Sequence, residues 1–92
     1  MIDIWVDLSL PALATLPRED REGRSVLRQR IAQQQDAVMA QLCALGGSEL
    51  ARVQQLRNAV AVRLPKAVLD EARRIPGVQR LRVVRDRSTE AP

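Results

Sequence analysis

Arg80, Arg82, Arg85 and Arg87 form one basic stripe near the end of the chain, and they are the side chains whose type and spacing most plainly offer chemistry. Guanidinium groups grip carboxylates and phosphates through paired N–H donors, so this is a chemistry of recognition, not of bond breaking. A solvated face is the bland meaning of such a stripe, and nucleic-acid binding is the sharper one. The residues that usually break bonds near neutral pH are missing. There is no histidine and no tyrosine, and the single cysteine is Cys43. A Ser-His-Asp or Cys-His site cannot be built from this set, nor a disulfide within the chain or a zinc cluster of Cys and His. The composition therefore predicts a protein that is not an enzyme and that has no cofactor or metal. Nothing in the sequence places a base beside Cys43, so it reads as a small buried or half-buried helix residue. Trp5, the only aromatic residue, is either an anchor on an uncovered sheet face or a side chain packed under the long loop or against a neighbouring strand's side chains.

A domain must hold these residues, and 92 residues allow only one. Charge is divided unevenly along it. Residues 1–49 carry five arginines against seven acids, and residues 50–92 carry ten bases against four acids, giving halves of −2 and +6. No apolar run reaches membrane-spanning length and no charged-then-apolar leader precedes Ile2, so neither a membrane span nor a signal peptide is expected within these residues.

Ile2, Ile4, Val6 and Leu8 alternate with Asp3, Trp5 and Asp7, the period of a strand with one buried face, over residues 2–8. The segment 11–23 has two prolines and a charge cluster and reads as a long exposed loop. From Arg24 to Leu45 no Gly or Pro occurs, and Leu27, Ile31, Val38, Leu42 and Leu45 recur at helical spacing. Gly46-Gly47 stops that helix. Residues 50–56 alternate weakly, with Val53 the best inward candidate. Asn58 marks a turn, and Val60, Val62 and Leu64 then give a strand over 59–64 that forms a hairpin with the one before. Pro65 suits the first turn of a second helix over 65–75, with Val68, Leu69, Ala72 and Ile75 on one face. Pro76-Gly77 turns the chain into a last strand, 78–84, and residues 85–92 are expected to be a flexible tail.

The order β-α-β-β-α-β predicts an α+β, ferredoxin-like fold: a four-stranded antiparallel sheet, in order 4-1-3-2, with both helices on one face. Leu27, Ile31, Val38, Leu42, Val62, Leu64, Val68, Leu69, Ile75 and Leu81 are the expected core, with Met39 filling a gap or flanking its helix.

The stretch NAVAVRLPKAVLDEARRIPGVQRLRVV, residues 58–84, resembles the inhibitor-type propeptides of subtilisin-like serine proteases. In that family a strand of small residues ending in Leu leads into a short helix, which ends at a Pro-(Gly/Ser)-Val turn into the last strand; Leu64, Pro76, Gly77 and Val78 stand in those places. IDIWVDLSLP is similar, more loosely, to the family's opening strand, and the Gln-rich helix around Ile31 to Gln34 is similar to helices in many bacterial secreted members. The resemblance implies a propeptide that is an intramolecular chaperone and inhibitor, keeping its partner, the catalytic domain of the protease, as a zymogen. It also implies secretion or a periplasmic location within a larger precursor. The uncovered sheet face would pack on two surface helices of the protease, and the tail would lie in the substrate cleft as an added strand. Carried over by position, the protease-binding residues are Asn58, Arg80, Arg82, Val84, Arg85, Asp86, Arg87, Ser88, Thr89 and Glu90. One departure stands out. The family often has acidic residues late in the last strand, where this chain has Arg82, Val83 and Val84.

The alternative is a basic βαββαβ module that binds nucleic acid or a small regulatory molecule. RNA-recognition modules of this topology stack bases on sheet aromatics, and Trp5 alone is a poor platform, so no nucleic-acid partner is expected.

Overall fold

Alternation in β1 (Ile2–Leu8) is complete: Ile2, Ile4, Val6 and Leu8 are buried, and Asp3, Trp5 and Asp7 between them are half-buried. The computed structural model describes residues 1–86. In it β1 lies at the centre of a four-stranded antiparallel sheet, between β3 (Ala59–Leu64) and β4 (Val78–Asp86), with β2 (Ser48–Val53) outside β3. Read from the other edge, the order β2-β3-β1-β4 is the expected 4-1-3-2.

The first helix, α1, runs from Arg21 to Ala44 and starts three residues before the expected Arg24. Asp20 is the reason: its Oδ1 accepts from the Gly23 backbone N–H at 2.9 Å, satisfying a donor that the first turn would leave bare. The surrounding cluster of charges had disguised this cap as loop. At the other end Gly46 takes φ +94°, its N–H donates to the Cys43 carbonyl, and the Gly47 N–H donates to that of Leu42. This paired closure needs a left-handed residue, which glycine supplies without steric cost.

Between β1 and α1 the chain is not bare loop. Leu13–Thr15 form a 3₁₀ turn, and Leu13 is buried while its N–H and that of Ala14 donate to the carbonyls of Gln54 and Gln55. The second helix is shorter than the expected 65–75. Pro65 has an extended ψ of 134°, a 3₁₀ turn spans Lys66–Val68, and α2 itself covers only Leu69–Arg73. Pro76 enforces the early end, because the residue before a proline is driven out of the helical region.

β2 begins at Ser48, not Leu50, since the glycine turn delivers the chain directly opposite Arg63. A register shift between Glu49 and Ala51 then interrupts its alternation, and every residue of this edge strand is exposed, Val53 included. Arg52 holds the strand to α1, bonding Glu49 at 2.9 Å and the Asp36 carboxylate at 2.6 Å. Glu49 first, then Asp36, pushes the Arg52 pKa still higher.

Ile2, Ile4, Val6 and Leu8 of β1, Val60, Val62 and Leu64 of β3, Val38, Met39 and Leu42 of α1, and Ala72 and Ile75 make one apolar core. Ile31 is buried as expected. Val68, Leu69 and Leu81 are half-buried and pack on the margin of that core instead of at its centre. Leu27 is also half-buried, beside an open cleft with Leu16 and Val26.

Candidate functional site

In an antiparallel ladder, residues directly opposite one another point to the same face. Trp5 stands opposite Ala61 and Arg82, and Asp7 opposite Ala59 and Arg80, so these side chains share the face away from the helices. Ala51 and Val53 of β2 are registered with Ala61 and Ala59 and extend that face to the sheet edge. Small residues on β3 leave a floor on which the larger neighbours lie.

Asp7 is the electrostatic centre. Its Oδ2 accepts from Arg80 at 3.0 Å and lies 3.3 Å from Arg82 Nε, and its Oδ1 accepts from Arg57 Nη2 at 3.1 Å. Burial pushes the Asp7 carboxyl up, but the Arg80 hydrogen bond and the charges of Arg82 and Arg57 outweigh it and hold the pKa below its ordinary value. A carboxylate held this way is a poor proton acceptor, so what the cluster offers is ionic recognition. Beside it Arg63 Nε donates to Asp3 Oδ1 at 2.8 Å.

Arg57 has a second contact. Its guanidinium carbon lies 4.7 Å from the centroid of the Trp5 ring, within cation–π range. Trp5 and Arg57 line a groove of about 430 Å³ together with the segment Val53, Gln54, Gln55 and Leu56. Leu56 is 84% exposed, so the apolar surface here is offered to solvent rather than folded away. Trp5 lies on the uncovered sheet face and is also packed by a neighbouring side chain, that of Arg57, so each of the two expectations describes part of its position.

The other residues expected at the site divide. Arg80 and Arg82 lie on the open face as described. Val84 is 62% exposed and is the extra residue where the ladder shifts between Val83 opposite Ile4 and Arg85 opposite Asp3. Arg85 and Asp86 do not belong to a tail: β4 continues through both, because β1 begins at Ile2 and offers Asp3 and Ile2 as their partners. The boundary expected after Val84 thus moves to Asp86. Arg87, Ser88, Thr89 and Glu90 lie outside the described residues.

Asn58 is a correction. It is 5% exposed, and its side chain is consumed inside the chain: Oδ1 accepts from Gln35 Nε2, and Nδ2 donates to the Leu10 carbonyl and to Gln34 Oε1. Gln34 in turn donates to Ser9 Oγ, and Gln35 to the Val53 carbonyl. Asn58 therefore ties α1 to the loop and the hairpin from a buried position. Cys43 is a second correction, exposed on α1 rather than buried.

Asp7 and Arg57 are the candidate-site residues the sequence did not single out. The polar phase of β1 placed Asp7 beside Trp5, and that was the available signal; Arg57 gave none. Among the described residues no group of three His, Cys, Asp or Glu side chains could hold a metal, and no helix is long and apolar enough to cross a membrane. Comparison with protein-family models, curated proteins and solved structures gives no match.

Proposed function

We propose that the chain is the propeptide of a subtilisin-like serine protease, chaperoning the folding of the catalytic domain and then inhibiting it. The observation that carries this reading is the position of β4. It is an edge strand of nine residues, it borders the helix-free face, and residues 87–92 follow directly from its end. The resemblance of residues 58–84 supports the same reading.

Docking through the open face would aim the residues after Asp86 at the substrate cleft, where an extended segment adds to the protease as a strand through backbone hydrogen bonds. A free peptide loses ordering entropy when it binds, whereas one tethered to a docked domain is presented at high effective concentration. The chaperone role follows from the same contact. A surface that binds the folded catalytic domain and not its unfolded chain shifts the equilibrium toward the fold. The chain itself hydrolyses nothing, needs no cofactor, and would act in a secreted or periplasmic precursor.

The test is competitive inhibition of subtilisin-like proteases by residues 1–92 and by a chain ending at Asp86. Inhibition by the first, lost or much weakened in the second while circular dichroism stays unchanged, supports the reading. No inhibition by residues 1–92 sinks it.

A further inference from the structure

Three guanidinium groups, of Arg57, Arg80 and Arg82, share the single carboxylate of Asp7. Within that cluster two positive charges are in excess. The side chains of Arg80 and Arg82 are 67% and 43% exposed, so they can turn to a second anion while Arg57 keeps Asp7 paired. The same Arg57 lies on Trp5, at the head of the apolar groove with Val53 and Leu56. Charge and apolar surface are thus presented side by side, with the joining residue held by two contacts.

We infer that the open face docks an acidic protein surface, seating a partner carboxylate among Arg57, Arg80 and Arg82 and an apolar partner side chain in the groove beside Trp5. This rests on the proposed function and specifies the partner: the surface of the catalytic domain that meets this sheet is acidic, the reverse of one that would meet acidic residues in the last strand. Guanidinium groups take carboxylates with paired, directional bonds, and an adjacent apolar contact excludes the water that would otherwise screen them. Nucleic acid fits less well. Trp5 is the only aromatic ring in the chain, too few for the stacking by which such sheets hold bases.

Trp5 is the only tryptophan, so its fluorescence reports this face alone. The probes are a soluble helical peptide bearing Glu and Leu on one face, the same peptide with each Glu replaced by Lys, and a single-stranded oligoribonucleotide. The Glu peptide is expected to shift Trp5 emission in a salt-sensitive way and the Lys peptide to leave it unchanged. The double variant Arg80→Gln/Arg82→Gln, folded because both side chains are solvated, should bind the Glu peptide weaker by on the order of tenfold. Equal response to the Lys peptide, response to the oligoribonucleotide alone, or unchanged binding by the double variant overturns the inference. The inhibition assay separates it from its premise. A protease inhibited equally by wild type and double variant, with Trp5 silent, ends this inference and leaves the propeptide reading intact. Failure to inhibit any protease, with Trp5 responding to the Glu peptide as expected, ends the propeptide reading and leaves an acidic-surface partner other than a protease.

Discussion

The two faces of β1 obey different physics although they alternate residue by residue. Toward the helices, Ile2, Ile4, Val6 and Leu8 are each at most 3% exposed and pack against Leu42, Val38 and Met39 of α1. Away from them, Asp3, Trp5 and Asp7 sit among arginines and remain half-buried. The first face gains from removing apolar surface from water and tolerates no loss of volume. The second gains little from its ion pairs, because solvated pairs contribute about 0–1 kcal/mol each. One strand thus carries both the apolar core and the charged open face proposed above as the docking surface.

The sharpest way to break this comparison is at the core. Leu42 is fully buried, so Leu42→Ala should cost about 2–5 kcal/mol, a large part of the stability of a domain this small. Thermal unfolding followed by circular dichroism measures it; an unchanged midpoint would remove Leu42 from the core. A smaller but still clear loss is expected from Asn58→Ala. It would leave the Gln35 amide without one buried partner and costs about 1–3 kcal/mol, read as a lower denaturant midpoint. If Asn58 instead served a partner surface, stability would not change.

The smallest effect sharpens the open face. Because the folded-state pKa of Asp7 is depressed, its contribution is fully present above the unfolded value of about 4 and is lost as pH falls from there through the folded value. Asp7→Asn should therefore lower stability modestly at pH 7 and flatten its fall below about pH 4. Urea unfolding of both chains across that range checks it; parallel curves would show that Asp7 does not couple to folding.

Strand β1, β3 and the sheet order were legible in the sequence because each central strand has a clean alternation with one buried face. β2 was less so. A bulge at Leu50 and exposure of every residue erase the period that marks a strand. The helix ends moved for local reasons, the Asp20 cap at one and Pro76 at the other. The arginines of the stripe were visible as a run, but their shared partner was not. Arg57 and Arg80 reach Asp7 only through pairings 50 and 73 residues apart, which no spacing along the chain reveals. Asn58 looked like a turn residue for the same reason: its partners Gln34 and Gln35 come from another element.

In the proposed function a folded two-faced sheet holds the residues after Asp86 in a protease cleft. The most direct test of that claim is the inhibition constant against a subtilisin-like protease, measured together for residues 1–92, for the chain ending at Asp86, and for Leu42→Ala at a temperature where that variant is unfolded. The account expects tight competitive inhibition by the first alone, with the second no longer blocking the cleft and the third degraded as a substrate. Equal inhibition by all three, or none by the first, would contradict it.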